Sequence, residues 1–468
     1  MNLHKTFFLL LLPAAVFAQS STAVFDGYLQ GQAELYQFNG NVLVAKNGKI
    51  IYQRSIGYAD YNSKQQLDEN SLFDIGSVTK EFTAAGILLL KDKGKISYDD
   101  TLRKFFPELP YTNITIRQLL THTSGVPDGF NLIEKSFDHD KIATNKDLIR
   151  LLAKEQPPVL FMPGENLMYS GTGFNLLASI IEKISGQSYN TYLSENVFKP
   201  LGMEHTTVAN FPRNAKNTPG LAKGFIYVDS LKKYQAAESI YHQWSTYFTG
   251  INGEGMIITT TGDLLKWDRA LKNHKLLAAV TQTEMCTMQA EKKTVPAVKF
   301  GYGIRVASND LGSCVFHNGW YPGFKSMLIR YTDEDITVIV LSNNQSQSDL
   351  VADGLASIAL NEKIFMPYLH KETSIKTAID KYAGKYMMPL NRPPYMVNFP
   401  VEIIAKNSSL FIHNPTVSDV QLIPESETKF FYGNGTDQQI EFEKDNSGNI
   451  TKVFYTAYGV KKEIKKID

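Results

Sequence analysis

Ser77 and Lys80 stand three residues apart in the segment Gly76-Ser-Val-Thr-Lys80. On a helix, residues i and i+3 share one face, so a serine hydroxyl and a lysine amine at this spacing can meet. A serine is a weak nucleophile at neutral pH and needs a base within hydrogen-bond reach. A lysine one turn along can be that base, or can transmit the effect of another. The chemistry this pair could perform is attack on an ester or amide carbonyl.

The same spacing recurs at Ser230-Leu-Lys-Lys233 and Ser426-Glu-Thr-Lys429. Ser230 lies in a polar stretch with no apolar helix after it. Ser426 precedes Phe430, Phe431 and Tyr432, a strand-like run in which i and i+3 face opposite sides. Only Ser77 opens an apolar segment of helical length, carrying Phe82, Ala84, Ala85, Ile87, Leu88, Leu89 and Leu90 and ending near Gly94. A helix without a polar face is a core helix. Before it, Ser71 to Ile75 reads as a strand that turns at Gly76. Ser77 by itself could cap the helix or act as its reactive end.

Strand and helix signals elsewhere must position this pair. Asn41–Ala45 and Lys49–Gln53 flank Lys46-Asn-Gly48, a hairpin signal with an Asn-Gly turn. From Tyr98 to about Asn252 the pattern is mainly helical, with helices predicted at Ile116–His122, Thr144–Glu155 and Gly173–Ser185, the last stopping at Gly186. Strands return at Gly255–Thr259, Gly301–Ala307, Ser313–His317, Ser326–Tyr331 and Ile336–Leu341, followed by a helix over Ser348–Asn361. Strands at both ends with helices between them predict an α+β fold: an antiparallel sheet flanked by helices, carrying an inserted helical subdomain. The expected site is the cleft between these lobes.

From about residue 370 the texture changes to short alternating segments separated by turns such as Asn446-Ser-Gly448. That pattern predicts a small C-terminal all-β domain, a sandwich or a barrel, over 370–468. The catalytic domain is expected over 19–369.

The first eighteen residues read as a signal peptide. A short basic start ending at Lys5 precedes an apolar core from Phe7 to Val16, and Val16-Phe17-Ala18 resembles a cleavage site. The run is short for a membrane span, and no cysteine follows it to take a lipid, so no stable membrane anchor is expected. The mature chain is expected to be exported, periplasmic or secreted. With 48 basic and 47 acidic residues and a net charge of +1, the chain gives no electrostatic reason to expect a nucleic acid partner. Cys286 and Cys314 could oxidise in such a compartment; their spacing leaves open both a disulfide and two separate core thiols. The nine histidines show no metal-ligand spacing, and Asp138-His139-Asp140 reads as a polar loop, so neither a metal nor another cofactor is expected.

Further motifs follow Ser77 in order: Leu119-Leu-Thr-His-Thr-Ser-Gly125, Pro163-Gly-Glu165, Tyr169-Ser-Gly171, Phe198-Lys-Pro-Leu-Gly-Met203, Gly253-Glu-Gly255, Asp263–Leu271, His317-Asn-Gly319 and Pro322-Gly-Phe324. Together they resemble the serine β-lactamase-related family, which includes class C β-lactamases, D-alanyl-D-alanine peptidases, D-aminopeptidases and related esterases. The resemblance runs from about Asn41 to Leu341. It implies that Ser77 is the acylated nucleophile, that Lys80 is its partner, and that Tyr169 is a general base or a proton shuttle to the leaving group. His317-Asn318-Gly319 would be the substrate-binding strand motif. The backbone N–H groups of Ser77 and Trp320 would form the oxyanion hole. His122 and Glu165 read as residues that hold loops by hydrogen bonding.

Two departures narrow the expectation. Gly171 stands where the family usually carries an asparagine that binds a substrate carbonyl and the catalytic lysine. His317 stands where many relatives carry a lysine, and a neutral imidazole is a poorer anchor for a substrate carboxylate. Arg305 could substitute for it or could face solvent from its strand. The expected activity is therefore hydrolysis of an ester or amide, including cell-wall-related peptides, through a Ser77 acyl-enzyme, rather than efficient β-lactam hydrolysis. The alternative is a non-catalytic binding or sensor protein on the same scaffold. The substrate is expected to be a small molecule or peptide, and the oligomeric state is open.

Overall fold

In the computed structural model, residues 14–209, 218–294, 298–375, 379–392, 395–413, 419–433, 436–457 and 459–467 are described. The predicted leader, residues 1–18, lies mostly outside them. A helix α1, Ala14–Tyr36, leads into the first hairpin, β1 (Gly40–Lys46) and β2 (Lys49–Ile56). Asn47 and Gly48 both have positive φ, 52° and 73°, as a type I′ turn requires.

Six more strands complete the sheet: β3 (Ala290–Glu291), β4 (Lys299–Phe300), β5 (Arg305–Asn309), β6 (Gly312–Tyr321), β7 (Phe324–Tyr331) and β8 (Ile336–Ser342). Their spatial order is β3-β4-β5-β6-β7-β8-β1-β2, and every neighbouring pair is antiparallel. The N-terminal hairpin is thus closed onto the sheet by β8, with Val42 opposite Val340 and Leu43 opposite Ile339.

Every residue of β8 is buried, because the sheet is covered on both faces and side chains alternate between them. Ile339 and Leu341 join Leu43 and Ala45 in a large core shared with the helical lobe. Val338 and Val340 join Val42 and Val44 in a second core under α1 and the C-terminal helix Ser348–Ala359. A strand buried on both faces reads in sequence as a nearly continuous apolar run, which Ile336–Leu341 is apart from Thr337.

The helical lobe contains α2 (Thr79–Asp92), α3 (Asn145–Glu155) and α4 (Gly171–Ser185). In α2 all twelve residues from Thr79 to Leu90 are buried. Each fully buried aliphatic side chain contributes ~1.5–3 kcal/mol, so this helix anchors the lobe. Thr144 caps α3, and Thr115 with Gln118 caps the short helix Ile116–Leu120. Helix α4 stops at Gly186, φ 72°.

The C-terminal strands, from Gly384 to Lys466, close an eight-stranded antiparallel barrel. Of the two all-β architectures expected, this is the barrel, and its interior is filled by its own core, including Tyr382, Tyr386, Phe430 and Phe442. Cys286 and Cys314 are both free thiols. Among the described residues no helix is long and apolar enough to cross a membrane.

Candidate active site

The segment expected to be a strand over Ser71–Ile75 is a strand only at Phe73–Asp74. It passes into one turn of 3-10 helix, Gly76–Val78, which runs directly into α2. Ser77 therefore sits on the tighter turn, half-exposed, while Lys80 is the second residue of α2 and fully buried. The turn is held from both sides. Asp74 Oδ1 accepts from Gly76 N–H at 2.6 Å, and Ser326 Oγ donates to Ile75 O at 2.8 Å.

Lys80 Nζ donates to Ser77 Oγ at 3.1 Å, so the two groups meet as their spacing requires. It also donates to the backbone carbonyl of Glu254 at 2.8 Å and lies 3.2 Å from Glu254 Oε2. The lysine is thus the hub of the site, touching a hydroxyl, a carbonyl and a carboxylate. Glu254 was not among the residues expected to act here. Its sequence signal is an acidic side chain between two glycines, Gly253 and Gly255, just before the buried strand Ile257–Thr259.

Tyr169 closes the site from the side of α4. Its ring centroid is 4.9 Å from Lys80 Nζ, a cation–π contact. Among the described residues its hydroxyl makes no hydrogen bond, and its side chain is well exposed. His122 lies against the ring at 4.5 Å and is buried. The His122 Nδ1 accepts from Ser170 N–H at 3.0 Å, and its carbonyl accepts from Met168 N–H, so it does hold the loop that carries Tyr169. Glu165 is exposed, and among the described residues only its backbone N–H is engaged, to Met162 O, so its side chain holds no loop there.

His317, expected to bind substrate, is completely buried, and its Nδ1 is engaged with the carbonyl of Asn318 at 2.6 Å. With no exposed surface, its imidazole is not offered to a substrate in this conformation. The strand alternates, so the side chains presented outward are those of Asn318 and Trp320. Burial, followed by the nearby Arg305 and Lys80 cations, holds His317 well below the usual imidazole range. His122 is held low for the same reason, by burial and then by Lys80. Both rings are neutral at pH 7. Arg305 does not project freely into solvent: its guanidinium packs over Tyr169 at 5.2 Å and Phe300 at 4.8 Å.

Gly319 and Gly76 bring the expected oxyanion pair together. A Cβ on Gly319 would collide with the carbonyl of Ile75, and one on Gly76 would stand 2.5–2.8 Å from the backbone of Trp320. Only glycines allow strand β6 to lie directly against the Ser77 turn. At the other side, Gly171 is the first residue of α4, with Ser170 as its cap. The volume beside it is not empty. A Cβ there would meet Glu254 Cγ and a Phe130 ring carbon at 3.5 Å, and Glu254 Oε2 at 3.6 Å.

A two-sided antiparallel sheet, an inserted helical lobe and a Ser–Lys pair at their junction define the serine penicillin-recognising class of hydrolases. A family model described as Beta-lactamase matches residues 25–362. The chain belongs to that family, and is a serine hydrolase of the β-lactamase-related class. It is 33% identical over 407 residues to penicillin-binding protein 4* of Bacillus subtilis, covering 85% of this chain and 88% of the relative. A penicillin-binding protein from Bacillus halodurans superposes with a TM-score of 0.62 at 26% identity, over 71% of this chain and 98% of that one. The octameric penicillin-binding protein homologue of Pyrococcus abyssi shares the fold over 97% of this chain and 100% of its own, with a TM-score of 0.65 at 22% identity. D-amino acid amidase of Ochrobactrum anthropi shares it at TM-score 0.59 and 23% identity, over 74% and 96%.

Proposed function

We propose that this protein hydrolyses an ester or amide through an acyl-enzyme on Ser77. The observation that carries the reading is the 3.1 Å contact between Ser77 Oγ and the buried Lys80 Nζ. Tyr169, with Lys80 beside it, takes the proton from Ser77 as its oxygen attacks the carbonyl carbon. The negative oxygen that develops is met by the backbone N–H groups of Ser77 and Trp320, and the turn into α2 adds a favourable dipole. Tyr169 then passes a proton to the leaving group, and water releases the acid. The substrate class is that of small acyl esters, amino acid amides or cell-wall peptides, in keeping with the penicillin-binding and amidase relatives.

Two features argue against efficient β-lactam hydrolysis. The amide donor usual near Gly171 is replaced by the carboxylate of Glu254, which accepts but does not donate. His317 is neutral and buried, so the strand supplies no exposed cation for a lactam carboxylate. The leader-like pattern of residues 1–18 supports export to the periplasm or medium.

The test is a parallel rate panel with a short-chain nitrophenyl ester, a D-alanyl anilide and a cephalosporin, each with a Ser77→Ala control. The ester should turn over well above the cephalosporin, and Ser77→Ala should abolish both turnover and labelling by a fluorophosphonate. A well-folded native protein that takes no label would show instead a non-catalytic binding protein.

A further inference from the structure

We propose that Glu254 is the base that activates the deacylating water. This rests on the Ser77 acyl-enzyme reading and concerns only its second half. An acyl-enzyme is hydrolysed when a water, stripped of a proton, attacks the ester carbon, and the base must lie within hydrogen-bond reach or one water of the reacting atoms. Four other groups near Ser77 could be considered. His122 and His317 have their Nδ1 atoms engaged and their Nε2 atoms sealed from solvent. Lys80 is fully buried and contacts Ser77 directly. Tyr169 serves the leaving group in the first half-reaction.

Glu254 is placed differently. One oxygen, Oε2, is 3.2 Å from the same ammonium that touches Ser77 Oγ. The other, Oε1, has no hydrogen-bond partner among the described residues, and the side chain is 17% exposed. One carboxylate oxygen is thus oriented by Lys80 and the other is left for water. The carboxylate also borders the space that a side chain at Gly171 would enter. Where the family usually carries a neutral amide, this chain thus presents beside Lys80 a group able to accept a proton.

The loop that carries Glu254 is built to hold it. Gly253 O accepts from Thr83 Oγ1 at 2.6 Å, and Asn252 O accepts from Asn175 and Asn145 at 2.8 and 3.1 Å. Both Gly253 and the non-glycine Met256 have left-handed φ, 97° and 84°. Strained backbone of this kind persists only where the surroundings over-determine it. Side chains from three helices thus hold the loop that sets this carboxylate beside Lys80, the partner of Ser77.

The step balances. The water oxygen forms a bond to the acyl carbonyl carbon while one of its protons moves to Glu254. The tetrahedral intermediate collapses with cleavage of the bond between that carbon and Ser77 Oγ, which takes a proton from Lys80. Glu254 returns its proton to Lys80, and the free acid leaves.

The experiment compares native protein with Glu254→Gln and Glu254→Asp, using a nitrophenyl ester in stopped flow, intact-protein mass spectrometry, and the rate of fluorophosphonate labelling. Glu254→Gln should keep the fluorophosphonate rate within a few-fold and give a full burst. Its steady-state turnover should then fall roughly 100-fold or more, with the acyl-enzyme accumulating. Glu254→Asp should recover part of that turnover. Burst and steady state falling together would show that Glu254 only holds Lys80 in place, and overturn the assignment. Unchanged turnover would overturn it equally, while leaving Ser77 as the nucleophile. If native protein forms no acyl-enzyme at all, the Ser77 reading itself fails, which is a separate result.

Discussion

Gly76 and Trp320 lie so close that a single methyl group would not fit between their backbones. The Cβ of any other residue at 76 would come within 2.5–2.8 Å of the carbonyl oxygen, nitrogen and carbonyl carbon of Trp320, and the local φ is +47°. This contact joins the start of α2 to strand β6, and so joins the proposed nucleophile to the proposed second oxyanion donor. Gly76→Ala should therefore push Ser77 and Trp320 apart. A displacement of about 1 Å at such a site costs roughly 100-fold in rate. The fluorophosphonate labelling rate measures it, and a loss of less than ten-fold would mean that the turn relaxes without moving Ser77.

Gly171 tolerates a small side chain but not a large one. In Gly171→Ala the new Cβ meets Glu254 and Phe130 at ordinary contact distance. The substitution should stabilise the protein by ~0.4–1 kcal/mol through the unfolded chain. Gly171→Asn, which from the sequence reads as a simple restoration of the family's amide, instead competes with Glu254 for one volume. Overpacking should cost ~1–3 kcal/mol. Urea denaturation of the two variants beside the native protein separates these outcomes, and equal midpoints for both would refute them.

In α2, Glu81 is buried with Arg330, whose Nη2 lies 2.8 Å from Glu81 Oε2. Trp267 Nε1 donates to the same oxygen at 2.8 Å, and Arg330 Nε is 3.5 Å from Asp268. Arg330→Leu leaves the buried Glu81 carboxylate without its cation, next to an Asp268 that remains paired with Arg269 at 2.6 Å. It should cost ~3–5 kcal/mol, because removing one partner exposes the full desolvation penalty of the others. The double variant Glu81→Gln with Arg330→Met should recover much of the loss. A double variant no more stable than Arg330→Leu would place the cost in packing instead.

His122 and His317 tie stability to pH. Both are buried with their affinity for a proton depressed, whereas in the unfolded chain each titrates near 6.5. Below that value the unfolded state binds protons that the folded state does not, so stability falls as pH falls. Each ring contributes up to ~1.4 kcal/mol per pH unit. Denaturation midpoints at pH 7.5, 6.5 and 5.5 should decline across the acid side. His317→Asn should remove its part of the slope, roughly half of the two-ring total, and a slope unchanged in that variant would show that the ring binds its proton as readily in the folded protein as in the unfolded chain.

Local chemistry carried much of this fold into readable form. The Asn47-Gly48 turn, the caps at Thr115, Thr144 and Ser170, and the stop at Gly186 each depend on a few adjacent residues, and each lies where its own short segment indicates. The Ser77–Lys80 contact is legible for the same reason, since helical geometry alone sets the distance between i and i+3. The apolar run of β8 announces a strand covered on both faces. The choice between sandwich and barrel could not be read there, because closure depends on the pairing of the strand from Gly384 with the strand ending at Lys466, more than seventy residues apart in the chain.

Glu254 marks the limit. It is 174 residues from Lys80 in the chain, and nothing in Gly253-Glu-Gly255 announces what its carboxylate will face. The burial of His317 was hidden likewise, since a strand pattern shows alternation but not which face a neighbouring lobe will cover. That Ser77 and Lys80 can meet follows from residue type and helical spacing, and the class of chemistry proposed for them from the ordered motifs around them. Which carboxylate meets the lysine, and which glycines let two segments touch, was decided when distant chain segments packed together, because burial and long-range contact exist only in the folded protein.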